Sequence, residues 1–127
     1  MHTTEAELAL RIVQGVDVML GYWDKDLRSR FANEAYRRWF GKTSQEMLGI
    51  SMADFLGPAL FQLNLPHIHG ALAGEIQHFR RSLKRPDGAI RELLVTYVPD
   101  MPEGVVQGFS VHIVDVTAAA VIAALAR

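Results

Sequence analysis

The stretch from Glu75 to Val116 constrains this chain most. Three runs, "EIQHFRRSLKR", "AIRELLVTYVP" and "VVQGFSVHIVDV", have the length and β-branched or aromatic content of strands. Short, turn-forming segments join them. Pro86-Asp87-Gly88 places proline second and glycine fourth in a four-residue turn, and Asp100 to Gly104 is a second turn-rich loop. Strands joined this closely pair antiparallel, because a parallel crossover needs a dozen or more residues. Any fold for this chain must therefore contain a three-stranded meander at its C-terminal end.

The N-terminal half supplies two more strands and a string of short helices. "DVMLGYWDKDLRSRFAN" reads as a hairpin: a strand through Trp23, a turn at Asp24-Lys25-Asp26, and a strand from Leu27 to Ala32 in which Leu27, Ser29 and Phe31 alternate with Arg28 and Arg30. Asn33 is placed to cap a short helix that Gly41 ends. Thr43 with Glu46 makes a capping box, Ser51 with Asp54 starts a one-turn helix, and Gly57-Pro58 opens a longer helix to about Gly74, kinked or restarted by Pro66. Before all this, Thr4 and Glu7 form a capping box for a helix whose apolar stripe is Leu8, Ala9, Ile12, Val13 and Val16. That stripe serves equally to cover the core or to pair with a second copy. The whole reads as an α+β domain: a five-stranded antiparallel sheet with short helices on one face, flanked by N- and C-terminal helices.

Composition removes several function classes. The chain has 127 residues, half of them hydrophobic, and a formal net charge of −1, which offers no electrostatic case for nucleic acid or an anionic membrane. It has no cysteine, so disulfides, thiolate chemistry and cysteine-linked flavin or other chromophores are excluded. No apolar run reaches the roughly 18 residues of a membrane span, and no secretory signal is present, so a cytoplasmic location is expected. No catalytic motif or paired-carboxylate arrangement is found.

Taken in order, "FANEAYRRWFG", "EMLG", "ALAGE", "RPDG" and "GFSVHIVDVT" resemble the PAS, or sensory-box, domain of bacterial signalling proteins, of the kind found beside diguanylate cyclases and histidine kinases. The resemblance covers roughly residues 8 to 117. It implies a sheet whose concave face and short helices enclose a small cavity. It also implies an Asp-x-Thr joint, here Asp115 and Thr117, which relays a signal from the last strand to an output helix. Where that family usually continues with a charged helix, this chain continues "AAAVIAALAR". The domain organisation that follows is an N-terminal flanking helix at 1–16, a sensory domain at 17–117 and the start of an output helix at 118–127.

In such a fold some core residues must line the cavity. The expected set is Tyr36, Trp39, Phe61, Leu65, Ile68, Leu72 and Tyr97, with Asn64, His69, Gln77 and Tyr97 as its polar groups. A filled core is the competing reading. The inward stripe of the helix after Pro66 is read as Leu65, Ile68 and Leu72, with His69 at its border and His67 pointing away. His69 is then the single candidate for an axial haem ligand, and a hydrogen-bonded structural histidine is the expected state. His78 and His112 share parity with outward-facing residues, and His2 lies in a tail. No metal site is expected, and a small organic ligand held by apolar contact is.

The resulting reading is a non-enzymatic sensory and dimerisation module. It takes a small cue, pairs as a homodimer through Leu8, Ile12 and Val16 with Val121, Ile122 and Leu125, and signals to an output domain beyond Arg127. A cone-shaped isomerase or hydratase is the alternative, and it would need a buried carboxylate, for which Glu92 is the candidate. A dimerisation domain without ligand is the third reading.

Overall fold

The computed structural model describes residues 3–126; Met1, His2 and Arg127, and so the outermost residues of both flanking segments, lie outside that range. Helix α1 (Glu5–Gly15) leads into the hairpin β1 (Met19–Asp24) and β2 (Ser29–Ala32). Four helices follow: α2 (Ala35–Phe40), α3 (Ser44–Met47), α4 (Met52–Leu56) and α5 (Pro58–Leu72). The meander β3 (Gln77–Lys84), β4 (Ile90–Asp100) and β5 (Gly108–Asp115) then runs into α6 (Thr117–Leu125). The five strands form one sheet in the order β2-β1-β5-β4-β3, and every neighbouring pair is antiparallel. The expected fold class is the observed one.

Local chemistry accounts for most boundaries. The Arg85–Gly88 turn closes through Gly88 N–H to the Arg85 carbonyl at 2.9 Å, and the Asp87 carboxylate accepts the N–H of Ala89. Thr43 and Glu46 bond each other's backbone N–H groups in a complete capping box, and Ser51 accepts the N–H of Asp54. At the first hairpin the Asp24 carboxylate collects the N–H groups of Asp26 and Arg28. This wraps the chain so tightly that Leu27 is left-handed (φ 59), and β2 begins at Ser29 rather than at Leu27.

Three expectations are corrected. Asn33 does not cap α2; its buried side chain accepts the Leu20 N–H and donates to the carbonyls of Val13 and Val18, tying the exit of α1 to β1. Pro66 does not restart α5, which runs as one helix from Pro58 to Leu72 with the proline inside it. At Thr4 only half of the capping box forms, its hydroxyl accepting the Glu7 N–H.

The inner face of the sheet carries Met19, Trp23, Phe79, Leu93, Val95, Tyr97, Phe109 and Val111, all buried beneath α2 to α5. Gly21 lies among them because a Cβ there would stand 2.8 Å from the Tyr36 hydroxyl oxygen. Neither flanking helix joins this core. No residue of α1 or α6 is buried, so α1 does not act as a lid on the domain.

Candidate functional site

Under the short helices the sheet leaves a cavity of about 300 Å³, at the small end of small-molecule pockets. Its floor is strand residues Leu93, Val95 and Tyr97 of β4 with Val111 and Ile113 of β5. Its walls are aromatic and aliphatic: Trp23, Tyr36, Phe40, Met52 and Phe55, with Leu60 and Asn64 from the first half of α5. Phe40 and Phe55 meet edge to face at 5.0 Å, which fixes the wall geometry without filling the space.

The polar groups converge at one end. Asn64 is 4% exposed; its amide Nδ2 donates to the Tyr97 hydroxyl at 3.4 Å and its Oδ1 accepts Arg81 Nε–H at 2.6 Å. Burial pushes the Tyr97 phenol up to about 12, although the Asn64 bond and the Arg81 charge pull the other way. Burial likewise raises Tyr36 well above the usual phenol range. Arg81 and Lys84 are the charged residues lining the cavity, and among the described residues no carboxylate does so.

Of the expected pocket set, Tyr36, Asn64 and Tyr97 meet at this cavity. The others lie elsewhere. Ile68 is fully buried in packed core, with Phe61, Leu65 and Leu72 half-buried against that core. Trp39 lies beneath the Arg85 guanidinium at 5.1 Å. Gln77 is occupied by His67 Nδ1 at 2.9 Å and by the Glu75 carbonyl, and it presses so closely on Gly70 that a Cβ there would collide with it. His69 is exposed, so the residue nominated as an axial ligand is turned away from the cavity, while His67, expected outside, stacks flat on Phe79 at 4.0 Å.

These shifts share one cause. The face of α5 that points inward is centred on Asn64, Ile68 and Ala71, not on Leu65, Ile68 and Leu72. At about 100° per residue this rotation brings His67 towards the sheet and carries His69 away. Small Gly70 and Ala71 also let the second half of α5 settle on the sheet, so the cavity survives only beneath the first half. Arg81 was missed, yet strand parity places it between Phe79 and Leu83 on the inner face, and that was the available signal.

The second site is the joint between β5 and α6. The Asp115 carboxylate accepts Arg91 Nε–H at 2.8 Å and Nη2–H at 2.6 Å, and also the N–H and hydroxyl of Thr117 at 2.9 and 2.5 Å. Burial raises the Asp115 carboxyl, but these hydrogen bonds and the Arg91 charge outweigh it and leave the group below its ordinary value. Thr117 is not the helix cap. Val116 holds that position, and the Thr117 hydroxyl instead accepts the Glu92 N–H at 2.9 Å, beside a Val116 N–H bond to the Glu92 carbonyl at 2.8 Å. The Glu92 carboxylate lies on the outer face and accepts the Ser82 hydroxyl at 2.6 Å, so it is not the buried acid an isomerase would need.

A curved antiparallel sheet that closes a cavity under short helices and hands its last strand to a free helix has the architecture of a sensory-box domain. The sequence matches the PAS fold family over residues 13–121, and the chain belongs to that family. No curated protein matches the sequence. Among solved structures it is similar to an RNA-binding light-oxygen-voltage receptor, with 20% identity, TM-score 0.73, 94% of this chain and 37% of that one. VqmA of Vibrio cholerae, solved with ligand and DNA, has 22% identity and TM-score 0.74 over 91% of this chain and 53% of VqmA. A PAS domain from Colwellia psychrerythraea has 14% identity and TM-score 0.71 over 91% and 99%. At these identities the likeness is one of fold, and the chain spans about half of VqmA or less than half of the light-oxygen-voltage receptor.

Proposed function

We propose that this domain is the non-enzymatic input and pairing module of a longer bacterial signalling protein in the cytoplasm. Residues 1–16 act as a flanking helix, 17–117 as the sensory domain and 118–127 as the start of the output helix. A small organic molecule occupies the cavity, and its arrival moves the joint at Asp115 and Thr117. The movement redirects α6 and so reaches an output domain beyond Arg127, a cyclase or histidine kinase being the expected kind. Two copies pair, and the domain itself contacts no nucleic acid.

One observation carries this reading: a single strand serves both sites. Leu93, Val95 and Tyr97 of β4 line the cavity. The next residue, Glu92, holds the start of α6 through its N–H and its carbonyl. A ligand that presses on Leu93 therefore acts one residue from the helix anchor, and two arrangements of β4 with different ligand affinity are all that a relay requires. VqmA, similar in fold, has been solved bound to DPO, and a ligand on a protein of this fold favours reading the present cavity as a ligand site.

The test is a reporter of effector output in the full-length protein carrying Asp115→Ala or Thr117→Ala. Both variants are expected to melt cooperatively and to lose the coupling between cue and output. Normal signalling by both would leave α6 as a plain linker and overturn the relay.

A further inference from the structure

We propose that the cavity selects a small anion, a compact and mainly apolar molecule carrying one carboxylate or comparably acidic group, and that Arg81 reads its charge. This rests on the reading of the cavity as a ligand site and adds the class of ligand.

The lining is apolar apart from one end, and the charge at that end has a single sign. Arg81 and Lys84 are its charged members, with no carboxylate lining the cavity among the described residues. Arg85 and Arg91, one on the turn after β3 and one on β4, are paired with Asp87 and Asp115. Arg81 is not so paired among the described residues. Its three hydrogen bonds go to neutral oxygens: Asn64 Oδ1 at 2.6 Å, the Arg80 carbonyl at 2.8 Å and the Leu63 carbonyl at 3.2 Å. A guanidinium has five N–H donors, so two remain on a side chain that lines the cavity.

The same contacts hold the guanidinium in place. It lies 4.6 Å over the Phe79 ring, and its Nε is fixed by an Asn64 that is itself held by Tyr97. An arginine placed this way has lost part of its hydration and gained no counter-charge, a combination that an anionic occupant relieves. A planar fork with free donors matches the two oxygens of a carboxylate, and charge-assisted bonds of this type are roughly twice as strong as neutral ones. The Tyr97 hydroxyl accepts from Asn64 and keeps its own proton to donate. The polar end thus brings the Arg81 guanidinium and the Tyr97 hydroxyl to the lining of a cavity of about 300 Å³, room for a single-ring or short-chain acid.

The experiment titrates the 127-residue chain with matched acids and amides: 4-hydroxybenzoate against 4-hydroxybenzamide, phenylacetate against phenylacetamide, and hexanoate against hexanamide. Binding is followed by calorimetry and by the amide and ring resonances of Tyr36 and Tyr97. In at least one pair the acid is expected to bind about tenfold or more tightly than its amide. Arg81→Gln should erase that preference while the amide still binds, and Arg81→Lys should restore part of it. If the amides bind as well as the acids, or if Arg81→Gln keeps the preference, the anion inference fails and the cavity remains a ligand site. If no compound of either kind moves the Tyr36 and Tyr97 resonances, the anion inference falls together with the ligand reading.

Discussion

The hydroxyl of Thr117 is bonded to the backbone of Glu92, 25 residues earlier in the chain, at 2.9 Å. It donates in turn to Asp115 Oδ1 at 2.5 Å, so one side chain joins strand β4, the carboxylate at the end of β5 and the first turn of α6. Thr117→Val keeps the shape but removes both bonds and leaves the Glu92 N–H without its acceptor. The cost should be about 1–2 kcal/mol, with a single cooperative transition in a urea melt. Because α6 has no buried residue, the loss should appear mainly as faster amide exchange from Ala118 to Leu125. Unchanged protection across α6 would show that the helix is held by other contacts.

Asp115 makes this joint sensitive to acid. Its carboxyl sits below the ordinary value, the Thr117 bonds and the Arg91 charge outweighing the effect of burial. A depressed carboxyl pKa contributes stability that is fully present above the unfolded value, near 4, and that is lost as pH falls through the folded one. Protection of α6 should therefore hold from neutral pH down to about pH 4 and weaken below it. In Asp115→Asn that local acid transition should vanish while the rest of the domain's acid response stays. A transition of equal size in the variant would place the titrating group elsewhere.

The readable parts of this fold were those whose signals are local. The Pro86-Asp87-Gly88 turn, the strands on either side of it and the Thr43–Glu46 box each depend on residues within a few positions, and the structure has them all. The cavity was harder because its position depends on which way α5 faces. Large apolar side chains marked Leu65 and Leu72 as inward, whereas the helix turns in a polar Asn64 and a small Ala71. Asn64 is accepted there only because Arg81 and Tyr97, from two different strands, satisfy its amide. Asn33 is the same case: next to α2 it reads as a cap, and its true partners, Val13, Val18 and Leu20, are brought to it by the tertiary fold.

All three tyrosines of the chain are held above the ordinary phenol range. Burial is the largest cause in each case, and at Tyr22, itself pushed up to about 12, the hydrogen bond to Asp100 and the charges of Asp100 and Asp24 add to it. The native chain should thus show little phenolate absorbance near pH 10.5, where free tyrosine is more than half ionised. A raised phenol pKa contributes stability that is present below the unfolded value and lost as pH rises through the folded one. Phenolate should therefore appear together with alkaline unfolding. Early ionisation of one tyrosine in the folded chain would mark a hydroxyl open to water.

Gly21 and Gly15 separate two uses of glycine. A Cβ at Gly21 would lie 2.8 Å from the Tyr36 hydroxyl oxygen and 3.2 Å from the Phe31 carbonyl, while Gly15 has nothing within 4 Å. Gly21→Ala should destabilise by about 1–3 kcal/mol through overpacking, and Gly15→Ala should be nearly neutral. Adding Tyr36→Phe to Gly21→Ala removes the closest clash, so the double variant should recover part of the loss in a denaturant melt. If it recovers nothing, the Phe31 carbonyl is the contact that matters.

The flanking helices point to self-association. Leu8 and Ile12 of α1 are 47% and 58% exposed, and Val121, Ile122 and Leu125 of α6 are 53%, 67% and 80% exposed. The alanine side of α6 faces Arg80 across a shallow groove, and Val121, Ile122 and Leu125 are left to water. Apolar rows of this kind are stabilised when water is removed from them, at roughly 25 cal/mol per Å². Neither helix covers its own core, and a second copy is the cover expected for these rows. A stable interface needs roughly 800 Å² from each partner, more than one row of α1 provides, so both helices are expected to contribute. Sedimentation velocity over a wide concentration range should show a monomer–dimer equilibrium. Leu8→Glu with Ile12→Glu should shift it to monomer without lowering the melting temperature of the sheet, because neither residue touches the buried core. A chain that stays monomeric at high concentration would show that the two rows remain in water and that pairing depends on sequence outside these residues.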